Sequence, residues 1–312
     1  MAEIRFSDRM RERLTLSFEV FPPKTEKGMQ NLPSVIDELK EFHPDYISCT
    51  YGAGGSNTGP NREVLRIIAK KTVPCTHFTC IGVTKDQVRE QLQSYLDEGV
   101  EHVLALRGDY PRGWTGTGGE FDHATDLIAY IRKEFGDRFE IAVAAAPGGH
   151  VDCVSEDVDI SYLKMKQDLG ADYIITQLCY DLEQFKVWRD KVDKAGITMP
   201  IDVGIMPVTT KHGILTQCFS HNACAVPRDL ALVLTHHWFQ KDPDGNEIPE
   251  VKAAFREEGL TYSADLLNRY LPLGINGIHL YALNRAADVR EVLIRSGFGD
   301  RFMALLKESH GV

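Results

Sequence analysis

Several short apolar runs in this chain carry or end in a residue able to move a proton or hold a charge. Glu19 stands in Leu14-Thr-Leu-Ser-Phe-Glu-Val-Phe21, His77 in Cys75-Thr-His-Phe-Thr-Cys-Ile81, and Arg107, Gly108 and Asp109 follow Val103-Leu-Ala-Leu106. Thr50, His150, Gln177 and Tyr281, the last followed by Asn284 and Arg285, close other such runs. Glu19 alternates with apolar neighbours and shares a face with Ser17 and Phe21. Partial burial is expected to disfavour its ionised form and suit it to donate a proton. The alternative is a carboxylate satisfied by a nearby cation. Asp109 and Arg107 read either as site residues or as an ion pair with each other, and His77 as a ligand contact or a core histidine. Lys164 and Lys166 fall on a helix, where a solvated face is the default.

Metal chemistry is not expected. Cys75 and Cys80 flank His77, and His150-Val-Asp-Cys153 offers three donors, but neither has the repeated Cys or His pair of a zinc site. The loop Gly52 to Gly59 offers backbone amides that could cradle a phosphate. No Gly-x-Ser-x-Gly elbow and no Walker loop occurs, against a serine hydrolase or a nucleotide triphosphatase.

The elements that must position these residues alternate regularly. Leu14 to Phe21 reads as strand, with Leu16, Phe18 and Val20 on one face, and a helix follows with Leu32, Val35, Ile36 and Leu39 at helical spacing and Pro33 in its first turn. Strand Tyr46 to Thr50 precedes a helix carrying Val64, Leu65, Ile67 and Ile68. The unit then repeats: strands Cys75–Ile81, Val103–Leu106, Glu140–Ala146, Tyr173–Leu178, Ile201–Met206 and Gly277–Leu283 alternate with helices Asp86–Leu96, Asp126–Phe135, Ser161–Leu169, Leu182–Val192, Gly213–Phe219 and Ala286–Ile294. This is the pattern of a closed (β/α)8 TIM barrel, an α/β fold whose active sites lie at the carboxyl ends of the strands. A doubly wound sheet is disfavoured because Gly116, Gly118 and Gly119 do not open a helix. The chain reads as one barrel domain, residues 1–312, with an irregular elaboration around 222–260 that includes the turn Lys241-Asp-Pro-Asp-Gly245.

With 312 residues, 43% of them hydrophobic, the chain can bury a large core, which excludes disordered and fibrous classes. A net charge of -10 argues against nucleic acid and anionic membranes as partners, because neutralising phosphates needs clustered cations. Met1 to Arg13 mixes both charge signs and no apolar run reaches membrane-spanning length, so a cytoplasmic protein is expected. Seven cysteines, an odd number without a compact framework, fit reduced thiols.

At these strand ends the chain resembles the methylenetetrahydrofolate reductases. The matching pieces are Ser17-Phe-Glu-Val-Phe-Pro-Pro23, Thr50-Tyr-Gly-Ala53, His77-Phe-Thr-Cys80, Ala105-Leu-Arg-Gly-Asp109, Ile175-Thr-Gln177, Gly204-Ile-Met-Pro207 and Leu283-Asn-Arg285, in family order over nearly the whole chain. The length is that of the family's catalytic domain alone. The resemblance implies FAD as bound carrier, reduced by NAD(P)H and reoxidised by 5,10-methylenetetrahydrofolate to give 5-methyltetrahydrofolate in a ping-pong cycle. That reaction belongs to one-carbon metabolism and methionine biosynthesis, and family members commonly form homo-oligomers.

Carried over by residue, the resemblance makes Glu19 the general acid and sets Asp109 between flavin and pterin. Gln177, Tyr281 and Arg285 would then contact the substrate, Arg285 holding its carboxylate tail. Thr50, Tyr51, Ala53, His77, Arg107, Gly108, Asp109, Ala124, His150, Asp159 and Lys166 would line FAD. Three places depart from the family pattern. Ala146-Pro147 replaces a Tyr-Pro pair, Tyr162 and Met165 stand where polar contacts are usual, and Lys211 falls where an aromatic packs on folate, with Phe219 as a substitute ring. Alternatives left open are a flavin-independent reductase, an enzyme oxidising 5-methyltetrahydrofolate, and a non-catalytic folate-binding barrel.

Overall fold

Alternation along β1 (Thr15–Val20) sorts its side chains between two environments. Leu16, Phe18 and Val20 are buried under the helices, while Ser17 and Glu19 point into the barrel, where they meet residues of other strands. The computed structural model describes residues 5–51, 58–110, 113, 116, 118–219, 224–236, 241–246 and 248–310, without the side chains of Thr58 and of residues 305–310. The remaining strands are β2 (Tyr46–Cys49), β3 (Pro74–Thr79), β4 (His102–Leu106), β5 (Glu140–Ala145), β6 (Tyr173–Thr176), β7 (Ile201–Ile205) and β8 (Gly277–Tyr281). Each pairs in parallel with the next, and β8 closes on β1 with Glu19 opposite Tyr281. The fold is the (β/α)8 barrel expected from the alternation.

The helices are α1 (Phe6–Glu12), α2 (Glu26–Lys40), α3 (Thr58–Ala69), α4 (Lys85–Asp97), α5 (Ala124–Phe135), α6 (Glu156–Asp168), α7 (Leu182–Lys194), α8 (Lys211–Cys218), α9 (Arg228–His236), α10 (Pro249–Tyr270), α11 (Ala286–Arg295) and α12 (Phe298–His310). Local chemistry sets several starts. Thr84 and Gln87 form a reciprocal capping box on α4, Ser155 accepts from Val158 N at α6, and Asp181 accepts from the amides of Glu183 and Gln184 at α7.

Three expectations need correction. Pro33 lies inside α2 and not in its first turn, because Thr25 caps the helix well upstream. Helix α6 begins before Ser161, at its Ser155 cap. The region expected to be irregular around 222–260 holds α9 and about half of α10, a helix buried on several faces. In addition, α1 and α12 lie where no helix was expected.

Two apolar layers hold the barrel. The larger lies between strands and helices; the smaller fills the barrel interior with Tyr46, Cys75, Leu104, Ala142, Tyr173 and Ile175, and Phe6 and Met10 of α1 join it. The Phe6 ring meets Tyr46 and Tyr173 edge-on at 4.9 and 5.0 Å. Helix α1 therefore plugs the amino-terminal mouth, and the Glu140 carboxylate accepts the amides of Phe6 and Ser7 at its first turn. The opposite mouth, at the strand carboxyl ends, carries the polar residues. Among the described residues no helix is long and apolar enough to cross a membrane.

Candidate active site

Glu19 is the centre of a titratable cluster inside the barrel. Its Oε2 lies 3.3 Å from His77 Nε2 on β3 and 3.6 Å from His279 Nε2 on β8. His279 is fully buried, and its other nitrogen, Nδ1, is 2.7 Å from the Ser17 hydroxyl. Ser17 donates to Asp202 Oδ2 at 2.9 Å, and the Tyr46 hydroxyl donates to the same oxygen at 2.8 Å. A hydroxyl has one proton, so a Ser17 that donates to Asp202 must accept from His279 Nδ1–H. With Nδ1 protonated, Nε2 faces Glu19 either as a bare lone pair or with a second proton. A carboxylate opposite a lone pair is repulsive, so a proton belongs between Glu19 and its imidazoles.

The electrostatics differ from the expectation for Glu19. Burial by itself pushes its carboxyl up, but the imidazoles of His77 and His279 more than reverse this and hold it at about 2. Glu19 is therefore a buried carboxylate matched by histidines, not an isolated carboxyl kept neutral by desolvation. That lowering operates only while an imidazole carries its proton. Asp202 moves the other way: burial raises it to about 6, against His279 and the Tyr46 and Ser17 hydrogen bonds.

Tyr281 crosses the mouth from β8, its hydroxyl donating to the Thr176 carbonyl of β6 at 2.9 Å. Gly204 of β7 makes the crossing possible, since a Cβ there would stand 2.8 Å from the Tyr281 hydroxyl and 2.4 Å from the Thr176 oxygen. Burial pushes the Tyr281 phenol well above its ordinary value, so it serves as a neutral donor. Gln177, just past β6, is fastened by its amide to Ala145 O at 2.7 Å, and its Oε1 accepts from Leu178 N. Beside Tyr281 a cleft of about 240 Å³ is lined by Phe21, Met206, Thr210, Ile214 and Arg285, among others. Arg285 is 60% exposed and reaches Asp288 Oδ2 only at 4.0 Å, while Arg256 engages the other oxygen of that carboxylate.

The rim over β3 to β6 carries most of the remaining expected residues. Arg107 does not pair with Asp109. Its guanidinium binds Asp152 at 3.1 Å and stacks over Tyr110 at 4.5 Å, while Asp109 is exposed. Gly108 takes a φ of +92°, and a Cβ there would press on Ile81 at 2.8 Å, so the turn out of β4 requires glycine. The Asp159 carboxylate accepts the His150 amide at 3.1 Å. Lys166 is not on a solvated face: it is half-buried, its Nζ donates to Ala144 O at 3.0 Å, and desolvation lowers its pKa against Asp159. Ala124 opens α5 next to His123, whose ring stacks on Tyr162 at 6.4 Å.

Two expected contacts follow β2 directly. Tyr51 packs on Phe78 and donates to Gln91 of α4, within the helix layer. Thr50 fastens its own backbone, its amide to Val20 O and its carbonyl to Asn61. Ala53 and the phosphate-cradling reading of its loop lie outside the described residues. Neither Lys211, which stands where the family pattern has an aromatic, nor the substitute ring Phe219 lines the cleft: Lys211 sits over Phe255 at 5.8 Å and Phe219 is 82% exposed. The rings on the cleft are Phe21 and Tyr281. Sequence reading passed over His279 and Asp202. Their signal was present: Gly277, His279 and Tyr281 alternate on one strand face, and Asp202 interrupts the apolar run of β7. Among the described residues no group of three or more His, Cys, Asp or Glu could hold a metal ion.

A closed parallel barrel with ionisable groups gathered at the strand carboxyl ends defines the class of barrel that carries active sites there. Within that class the chain belongs to the methylenetetrahydrofolate reductase family, whose model, described as "Methylenetetrahydrofolate reductase", matches residues 5–297. Methylenetetrahydrofolate reductase 1 of Schizosaccharomyces pombe is 32% identical over 307 residues, covering 97% of this chain and 49% of that protein. The 5,10-methylenetetrahydrofolate reductase of Pectobacterium carotovorum is 34% identical over 278 residues, covering 88% of this chain and 87% of that protein. The chain thus spans about half the length of the eukaryotic relatives it matches and most of the bacterial one. A solved structure from Clostridium thermocellum, described as an uncharacterized protein that binds two copies of 5-methyl-5,6,7,8-tetrahydrofolic acid, has the same fold at a TM-score of 0.63. It is 14% identical, with 95% of this chain and 98% of that chain covered.

Proposed function

We propose that this chain is a flavin-dependent methylenetetrahydrofolate reductase, using NAD(P)H to convert 5,10-methylenetetrahydrofolate to 5-methyltetrahydrofolate. The observation that carries the reading is Glu19, buried at the strand carboxyl ends and in contact with two imidazoles. Opening the folate's one-carbon bridge to an iminium ion requires a proton at the departing nitrogen. Glu19 donates it, drawing on the proton shared with His77 and His279. As that proton leaves the cluster, the imidazoles cease to favour the carboxylate and burial favours renewed protonation of Glu19.

Asp109, exposed at the rim of β4, supplies a negative charge for the cationic folate. Tyr281 and Gln177 orient the pterin end. Arg285, on the cleft beside Phe21, holds the substrate's carboxylate tail.

The residues present fit FAD. Among the described residues, Thr79 Oγ1 at the end of β3 is buried without a hydrogen-bond partner, and Arg107, His150 and Lys166 bring positive or protonatable groups to the same rim. Lys166, Arg107, His150 and Asp159 would hold the cofactor, with Gly108 and Ala124 beside it. When bound, the flavin carries two electrons from the nicotinamide to the folate. The Clostridium structure's folate ligand supports folate as the substrate class.

Glu19→Gln tests the assignment. Bleaching of flavin absorbance by NADH or NADPH should persist in the variant, while folate turnover drops roughly 10²-fold or more. Equal loss in both half-reactions would remove Glu19 from the proton-donor role. A colourless protein that cannot be reconstituted with FAD yet turns over folate would favour the flavin-independent reading.

A further inference from the structure

Cys218 ends α8 and Cys224 lies shortly before α9, and their sulfurs stand 3.2 Å apart. Among the described residues this is the pair of cysteines whose sulfurs meet. Cys49, Cys75, Cys80 and Cys179 are buried in the core, where desolvation pushes their thiols up, to about 12 for Cys75 and Cys80 and about 11 for Cys179. Cys218 is buried as well, but a hydrogen bond from Cys224 holds its thiol below the ordinary value. Cys224 is half-buried and Phe219, next to Cys218, is 82% exposed, so the pair lies directly beneath the surface.

We propose that Cys218 and Cys224 are a redox modification site, a dithiol that hydrogen peroxide converts to an intramolecular disulfide. The Cys218 thiolate attacks one peroxide oxygen, the O–O bond breaks, and hydroxide leaves to become water, giving a sulfenic acid. The Cys224 sulfur then attacks Cys218, the S–O bond breaks, a second water leaves and the S–S bond forms. Two thiols are oxidised and one peroxide is reduced to two waters. The sulfurs need close only a short gap to reach bonding distance.

The position gives the bond a consequence. Thr210, Gly213 and Ile214, at the cap and first turn of α8, form one wall of the cleft beside Arg285. A disulfide at Cys218 ties the far end of this helix to the segment entering α9. Oxidation therefore clamps the wall of the cleft and dithiothreitol releases it. The site stands on thiol geometry and does not depend on the reductase reading.

Cleavage after Lys211 and Arg228 by trypsin yields a peptide, residues 212–228, that contains Cys218 and Cys224 and no other cysteine. After brief peroxide treatment of the native protein, this peptide should be lighter by two hydrogens and inert to iodoacetamide. Dithiothreitol should then restore two alkylatable thiols. Hydrogen–deuterium exchange across α8 should slow by about threefold in the oxidised protein and return on reduction. Cys224→Ser should show neither change. Two freely alkylated thiols after peroxide, or a sulfinic acid at Cys218 beside an alkylated Cys224, would overturn the dithiol. A disulfide that forms with α8 exchange unchanged would overturn the clamp.

Discussion

Glu19 and Asp202 are carboxylates inside one barrel, linked through Ser17 and His279, yet their protonation is pushed in opposite directions. Burial alone raises both. Two imidazoles face Glu19 and bring it to about 2, whereas Asp202 keeps two neutral hydroxyl donors and stays at about 6. The signs for stability follow. Glu19 stabilises the fold above its unfolded value of 4.5, and this is lost as pH falls toward 2. Asp202 contributes stability below its unfolded value of 3.8, lost as pH rises through about 6. Asp202→Asn removes the second effect while leaving an oxygen for Ser17 and Tyr46. Between pH 4 and pH 7, urea denaturation should show the variant gaining on the wild type by on the order of 2 kcal/mol. Parallel pH profiles for the two proteins would refute the assignment. Glu19 was legible as a candidate because its strand alternates; the sign of its shift was not, because both histidines come from distant strands.

Among the elements, the turn from β8 into α11 does the most to place the site. Leu283 and Asn284 adopt φ of 47° and 59°, a region costly for side-chain-bearing residues and tolerated best by asparagine. The Asn284 side chain accepts from Phe21 N at 3.1 Å and donates to Phe21 O at 2.9 Å, and Leu283 N donates to Glu19 O. The turn thus fixes the end of β1 that carries Glu19. Asn284→Ala loses both side-chain bonds and keeps the strained φ, with an expected cost of about 1–3 kcal/mol in urea denaturation. Asn284→Gly should recover part of that cost by relaxing φ; a glycine variant no more stable than the alanine one would argue against backbone strain. Helix α10 escaped sequence reading for a related reason of environment. It buries Phe255, Leu260, Ser263, Leu267 and Tyr270 against several neighbours, so its apolar pattern does not resolve into one stripe.

For the whole molecule, the barrel is closed chemically at one end and structurally at the other. The amino-terminal mouth is sealed by α1, with Phe6 4% exposed against Tyr46 and Tyr173. Phe6→Ala should cost about 3–5 kcal/mol of stability through the cavity it leaves. Turnover under stable conditions should change little, because Phe6 lies at the end opposite Glu19. A large loss of kcat in a variant that remains folded would show that plug and site are coupled.

What the sequence alone determined is the order of elements and the identity of the residues at the strand ends. Period-two alternation, helical spacing and turn chemistry are local, so eight strand–helix units and the place of Glu19, His77, Arg107 and Tyr281 could be read directly. The tertiary structure decided the partners. Arg107 takes Asp152 and not Asp109, Lys166 reaches the end of β5, and Glu19 meets His77 and His279 from strands far apart in the chain. Charge pairing and desolvation depend on distances across a closed barrel, and those distances exist only after β8 has paired with β1.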